Sequence, residues 1–301
     1  MDNRPIGVFD SGVGGMTVLK ELAKQLPNEN FIYLGDTKRF PYGSKSKESI
    51  IELTKDGVEF LINKGVKLIV IACGTATSQA LEEVRPLYNI PIIGVIEPTV
   101  KYIKEINKKQ IGVIATAGTI RSKGWKKAIL KELHTAKVQS IACPLLAPMV
   151  EEGWYDNKIA ELAIKEYLKP FSKIDAIILG CTHYPLLTKV IKKQIGKKVE
   201  IINIGEHVAK EAKAILKNND QMAEHKEQSI DTYLTETECK FNEVASKLLG
   251  TEVKAKQVKE EIEIINELIN HYQKEIENIE QIKIKQNRRK KHNGRKKRQQ
   301  Q

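Results

Sequence analysis

The sequence predicts an α/β fold of two pseudo-symmetric lobes, each a mainly parallel sheet flanked by helices. A C-terminal tail follows, first helical, then disordered and basic. Three observations carry this reading. Short continuous apolar runs alternate with amphipathic segments, the pattern of strands buried on both faces and covered by helices. The cycle starts again near Gln110. Glycine-rich and cysteine-bearing segments follow the apolar runs, where open α/β sheets place ligands beyond the carboxyl ends of their strands.

In the first cycle, Ile6-Gly7-Val8-Phe9 is a strand that enters Asp10-Ser11-Gly12-Val13-Gly14-Gly15 and a helix over 16–25. Phe31-Ile32-Tyr33-Leu34 is the next strand, and 49–64 has the apolar spacing of a helix (Ile50, Leu53, Val58, Leu61, Ile62). Leu68–Ala72 is a buried strand ending at Cys73, and Ile92–Ile96 another, stopped by Glu97-Pro98. The second cycle repeats the order: a strand over 110–115, a helix over 125–133, an extended run over 138–142 and a helix over 159–168. A buried strand over 176–179 then ends at Gly180-Cys181-Thr182-His183. Ile201-Ile202 is the last short strand, with helices expected from there to about Gly250. The boundaries that result are 1–97 with 207–250 for one lobe, 98–206 for the other, 251–282 for a heptad-patterned helix and 283–301 for the basic tail.

Composition limits the function classes. With 301 residues, 41% hydrophobic, the chain has material for one large or two modest domains and is too apolar to be disordered over most of its length. No run of about 18 apolar residues occurs and the N-terminal residues lack a secretory pattern, so a soluble cytoplasmic protein is expected. Cys73, Cys143, Cys181 and Cys239 lie far apart, which argues against a disulfide framework or a structural zinc and suits a reducing compartment. Half of the net charge of +12 belongs to residues 251–301, and ten basic residues with no acid fall between Lys283 and Arg298. A nucleic-acid reading therefore belongs to the tail, not to the body.

Candidate chemistry sits at the strand ends. A lone cysteine after an apolar strand is usually a small buried hydrophobe, and Cys143 and Cys239 keep that reading. Cys73 and Cys181 differ, because they occupy corresponding positions in the two cycles and each is followed by a threonine (Thr75, Thr182) placed to cap the next helix. A helix start favours a thiolate and turns backbone N–H groups toward an anion. Two such thiols facing one cleft would form an acid/base pair. The turn at Asp10–Gly15 matches neither common nucleotide-binding glycine pattern, and Asp10 suits an ammonium better than a phosphate. His183 stands two residues from Cys181, in place to tune the thiol or relay a proton.

Six segments together carry a resemblance: IGVFDSGVGG (6–15), YLGDTKRFPYG (33–43), IACGTAT (71–77), IIGVIEP (92–98), GVIATAGTIRS (112–122) and LGCTHYPLL (179–187). In this order they resemble the glutamate racemases of the aspartate/glutamate racemase superfamily, over roughly residues 5–250. The resemblance implies a cofactor-independent isomerase interconverting L- and D-glutamate for peptidoglycan synthesis; no metal is expected, because no His/Asp/Glu cluster has ligand spacing. It implies that Cys73 and Cys181 exchange the α-proton from opposite faces, assisted by Asp10, His183 and Glu151. It further implies that Ser11, Tyr42, Gly43, Gly74, Thr75 and Thr182, with Asp10 and His183, hold the substrate, and that the chain forms a homodimer.

Three positions depart from the family pattern. Gly74 stands where Asn is usual, a loss of hydrogen bonds worth about 0.5–3 kcal/mol. Ile204-Gly205-Glu206 lacks a small polar run, and Thr99 replaces a common Gly. Gly74 keeps open a racemase of a related amino acid such as aspartate, and the basic tail keeps open a racemase-fold binding protein. In the tail, Val258, Ile262, Ile265, Ile269, Tyr272, Ile276 and Ile279 form a heptad seam, either packing on the body or self-associating. Lys283–Arg298 reads as a solvated tail, with contact to nucleic acid or anionic lipid the second reading.

Overall fold

The computed structural model describes residues 1–224, 227–237, 239–258, 269 and 271–276. Met1–Lys256 form one compact unit and Gln257–Gln301 another. From the N-terminus the first unit runs β1 (Ile6–Asp10), α1 (Met16–Gln25), β2 (Phe31–Gly35), α2 (Lys47–Asn63), β3 (Leu68–Ile71), α3 (Gly74–Val84), β4 (Ile92–Gly94) and α4 (Ile96–Ile106). It continues with β5 (Gln110–Ala115), α5 (Ala117–Ser122), α6 (Gly124–Glu132), β6 (Lys137–Ala142), α7 (Leu146–Glu151), α8 (Lys158–Leu168), β7 (Ala176–Leu179), α9 (Thr188–Ile195) and β8 (Glu200–Ile202). Last come α10 (Ile204–Asn218), β9 (Ile230–Leu234), α11 (Cys239–Leu249) and the short β10 (Lys256–Gln257).

The strands form two sheets, ordered β10-β9-β2-β1-β3-β4 and β6-β5-β7-β8. Every pairing of β1 to β9 is parallel; Ile6, for example, sits opposite Phe31 on one side and Leu68 on the other. The stretch β2-β1-β3-β4 and the whole second sheet thus have the same order, which is the pseudo-symmetry seen as a repeat in the sequence. Side-chain alternation explains why the strands read as unbroken apolar runs. Ala176 and Ile178 of β7 enter one core cluster, and Ile177 and Leu179 enter another on the opposite face. The first cluster also holds Val8 and Val70 from the first sheet, and Val100 of α4 and Val208 of α10 from the helices that cross between sheets. A shared core of this kind makes the two lobes one compact unit.

Local signals place the helix starts. Ser46, Thr116, Asn157 and Asn203 are the side-chain caps of α2, α5, α8 and α10, each accepting a backbone N–H of its helix. Two expectations need correction. The stretch from 203 to 250 is not helical throughout, because Ile230–Leu234 adds a strand beside β2, with Thr232, Tyr233 and Leu234 buried. Polar neighbours hide that strand in the sequence; what makes it is the open edge of β2. The helix expected over 251–282 does not begin at 251, since Lys256–Gln257 are extended. In the second unit, 271–276 are helical, with Tyr272 and Ile276 exposed. Val258 of the heptad seam is half-buried and Ile269 is exposed; Ile262, Ile265, Ile279 and all of 283–301 lie outside the described residues, as does the side chain of Cys239. No helix among the described residues is long and apolar enough to cross a membrane.

Candidate active site

The carboxyl ends of β1 and β3 in one sheet and of β5 and β7 in the other open onto a single cavity of about 230 Å³. Cys73 and Cys181 each lie two residues past a strand, β3 and β7, so the repeated topology brings one thiol from each sheet to the cavity wall. Both are almost wholly buried, at 5% and 6% exposed.

Cys73 is itself the cap of α3: its sulfur accepts the Ala76 N–H at 3.5 Å, and the Ser11 hydroxyl lies 3.7 Å away. A helix start favours the thiolate, yet burial is the larger effect. With the Asp10 carboxylate nearby, burial pushes the Cys73 thiol up to about 12. Asp10 is fully buried, and its carboxylate accepts the Gly12 N–H and the Thr182 hydroxyl, both at 3.1 Å. Burial raises it to about 6, while the charge of His183 pulls the other way.

Cys181 has different company. His183 Nδ1 lies 3.5 Å from its sulfur, and His183 Nε2 lies 2.6 Å from Oε1 of Glu151. The same Glu151 oxygen accepts the Val13 N–H at 2.9 Å. Burial opposes a charged imidazole, but the hydrogen bonds and charges of Cys181 and Glu151 outweigh it and hold His183 well above an ordinary histidine. The glycines of the first turn make this contact between lobes possible. A Cβ on Gly12 would lie 2.3 Å from Glu151 Oε1, and one on Gly14 would lie 2.4 Å from His183 Nδ1. Thr17 adds a link by donating to the Thr182 carbonyl at 2.8 Å.

The segment after β2 supplies another wall. Asp36 is buried and accepts from Tyr42 Oη (2.5 Å), Arg39 Nε (2.8 Å) and Thr235 Oγ1 (2.9 Å), which fixes Tyr42 and Gly43 against the cavity. Of the expected site residues, Ser11, Tyr42, Gly43, Cys73, Gly74, Thr75, Cys181, Thr182 and His183 line the cavity. Asp10 and Glu151 stand behind the wall, touching Thr182 and His183.

Two readings of individual residues are corrected. Thr75 and Thr182 are not helix caps. Thr75 lies inside α3, its hydroxyl 2.9 Å from that of Thr116 and 3.2 Å from that of Thr119. Thr182 spends its hydroxyl on Asp10. Gly74 is also more than a lost side chain. A Cβ there would lie 2.3 Å from the Gly180 carbonyl oxygen, so no space is left for the usual Asn.

Comparison with known proteins gives the family and agrees with the fold. Residues 6–212 match the family model described as Asp/Glu/hydantoin racemase. The chain belongs to that family. It is an amino-acid racemase, an isomerase. A glutamate racemase of Lactococcus lactis subsp. cremoris (strain MG1363) is 46% identical over 253 residues, covering 83% of this chain and 93% of that protein. The solved glutamate racemase of Francisella tularensis, in complex with D-glutamate, is 39% identical at a TM-score of 0.80, covering 85% of this chain and 97% of that one. A glutamate racemase isoform from Bacillus anthracis superposes at 0.82 with 38% identity, covering 86% and 98%.

Sequence reasoning missed several cavity residues of this racemase. Thr116 and Arg121 line the wall, with Phe40, Pro41, Pro144 and Pro148 as its apolar part. Thr116 was findable: it follows β5 where the Asp10 turn follows the equivalent β1. Arg121 falls inside the matched segment 112–122, but an arginine on a short helix gives no sign of which cavity it borders.

Proposed function

We propose that this chain interconverts L- and D-glutamate by direct proton exchange at the α-carbon between two cysteines, supplying D-glutamate to peptidoglycan synthesis in the cytoplasm. The observation that carries the reading is the pair Cys73 and Cys181, one from each sheet, on the wall of one small cavity. Close relatives named as glutamate racemases support the substrate over aspartate.

In the reaction, the thiolate of Cys73 removes the α-proton of D-glutamate, and the S–H of Cys181 delivers its proton to the opposite face. The products are L-glutamate, a Cys73 thiol and a Cys181 thiolate; the return reaction reverses the roles. Cys73, pushed up to about 12, is a neutral thiol at neutral pH. Arrival of the substrate ammonium beside Asp10 and Cys73 favours its ionisation. The imidazolium of His183, held by Glu151, supports the negative charge on Cys181 in the half-reaction that leaves it ionised. Backbone N–H groups at the start of α3 and the hydroxyls of Thr75 and Thr116 meet the α-carboxylate, where charge builds in the transition state. Arg121 on the cavity wall suits the side-chain carboxylate.

The test is α-proton exchange of L- and D-glutamate in D2O followed by NMR, with aspartate as control and with Cys73→Ser and Cys181→Ser alongside. Racemisation of glutamate with exchange in the wild type, and racemisation lost in both variants, supports the reading. Exchange with aspartate alone, or racemisation that survives either substitution, overturns it; exchange of one enantiomer without inversion in a single variant is what a remaining thiol acting on its own face would give. Assembly as a homodimer belongs to the same proposal, measurable by light scattering. For the tail, ten basic residues between Lys283 and Arg298 favour contact with nucleic acid, tested by salt-dependent DNA retention with and without 283–301.

A further inference from the structure

Gly180, the single residue between β7 and Cys181, is gripped from several directions. Its N–H donates to the Ile114 carbonyl at 2.8 Å. A Cβ built on it would lie 2.8 Å from Nε1 of Trp125, so the indole edge packs directly on its Cα. Its carbonyl oxygen lies only 2.3 Å from the position a Cβ on Gly74 would take. Trp125 is in the first turn of α6, is 2% exposed, and is the largest fully buried side chain among the described residues. Its indole N–H has no hydrogen-bond partner. A buried tryptophan usually finds an acceptor for that group, so here its shape and not its polarity decides where the ring sits.

We propose that Trp125 is a positioning residue: a fixed wall that presses the Gly180–Cys181 segment toward Gly74 and so sets the separation of the two thiols across the cavity. Gly74 permits the approach by lacking a Cβ, and Trp125 enforces it from behind. Interiors packed at crystal-like density transmit such contacts, so moving the wall moves Cys181. Cys73 is fixed separately, at the start of α3. The proposal rests on the two-thiol reading of the site, but it can be tested without turnover.

The experiment uses the full chain with Trp125→Phe, which keeps a ring and drops the N–H, and Trp125→Leu, which removes most of the wall. Rates of iodoacetamide labelling at Cys181 and Cys73 are measured by peptide mass spectrometry, beside steady-state racemisation in both directions. Trp125→Leu is expected to change the ratio of Cys181 to Cys73 labelling by about threefold or more. It is expected to lower kcat about tenfold or more with KM little altered, because small misplacements of reacting groups cost rate. Trp125→Phe is expected to stay close to wild type in both readouts. If circular dichroism shows that Trp125→Leu does not fold, Trp125→Met takes its place. A lowered Tm with an unchanged labelling ratio and kcat would overturn the proposal, leaving Trp125 a purely structural residue. An equal loss in Trp125→Phe would also overturn it, by giving the effect to the N–H. A changed labelling ratio in a protein that racemises nothing would support the positioning role while sinking the proposed function.

Discussion

Gly74→Ala tests the site more sharply than loss of either thiol. The added Cβ would start 2.3 Å from the Gly180 carbonyl oxygen, whereas ordinary contact begins at 3.4 Å, so one of the two backbones must yield by about 1 Å. Overpacking of this kind costs about 1–3 kcal/mol, and the better helix propensity of alanine returns up to about 1 kcal/mol. The net loss of about 0–3 kcal/mol lowers Tm by at most several degrees in a unit of this size. Activity should suffer far more. A shift of about 1 Å between Cys181 and a substrate held by α3 is expected to reduce kcat/KM about 100-fold. Gly74→Asn should behave similarly or worse, although Asn is the usual family residue, because its side chain begins with the same Cβ. Scanning calorimetry and circular-dichroism racemase assays in both directions give the two numbers. Gly74→Ala with unchanged kcat/KM and a raised Tm would refute the reasoning, as would a Gly74→Asn variant more active than wild type.

Other perturbations follow from the same geometry. Lys67 and Glu29 form a fully buried pair at 2.6 Å, and Lys67 also donates to the carbonyls of Asp2 and Gln221; Lys67→Met should cost about 3–5 kcal/mol in thermal or urea unfolding, and a loss below about 1 kcal/mol would contradict the buried pairing. Asp10, raised from 3.8 to about 6, holds its proton better folded than unfolded. Its contribution to stability is full below about pH 4 and is lost as pH rises through 6, about 3 kcal/mol in all; Asp10→Asn should remove that slope from urea-unfolding free energies, and an identical slope in the variant would show that another group titrates. Arg121→Gln should raise KM for glutamate about tenfold with kcat within about threefold, since a charge at an exposed wall acts chiefly on binding; an unchanged KM would exclude Arg121 from substrate contact.

The sequence revealed most where a residue's role is local or repeated. Short apolar runs such as Leu68–Ile71 and Ala176–Leu179, too brief for helices and rich in Ile, Val and Leu, read as buried strands, and the strand-end position of Cys73 and Cys181 follows from that. What stayed hidden depends on partners distant in the chain. Ile230–Leu234 becomes a strand because the edge of β2 is open, which no pattern within 230–234 announces. Glu151 reaches the site only because Val13 and His183, more than a hundred and about thirty residues away, converge on one of its oxygens. Its placement behind His183 could be anticipated only by family resemblance. Gly74 is the clearest case: read alone, it is a missing hydrogen-bonding side chain, but beside Gly180 it is a close contact between two lobes.

The two thiols are topologically equivalent and have electrostatically opposite surroundings, a difference that bears on how the proposed two-thiol exchange would run in both directions. Burial and the Asp10 carboxylate keep Cys73 protonated, against the opposite pull of the Ser11 hydroxyl and the helix start. Cys181 sits beside an imidazole whose other nitrogen is bound to Glu151, surroundings that carry a proton and a positive charge of their own. A symmetric pair would need the substrate ammonium to activate both thiols, although it lies on one side of Cα at a time. In the proposed reaction the substrate would bring the cation that Cys73 lacks, and His183, held by Glu151, would be the cation for Cys181. On that proposal charge would move from one thiol to the other without either thiolate being left uncompensated in a buried cavity, where an isolated charge is costly. Asp10 links the halves: its carboxylate accepts the Thr182 hydroxyl next to Cys181 while raising the neighbouring Cys73. The pseudo-symmetric fold supplies the two opposed positions, and the unequal turns after β1 and β7 supply the unequal chemistry.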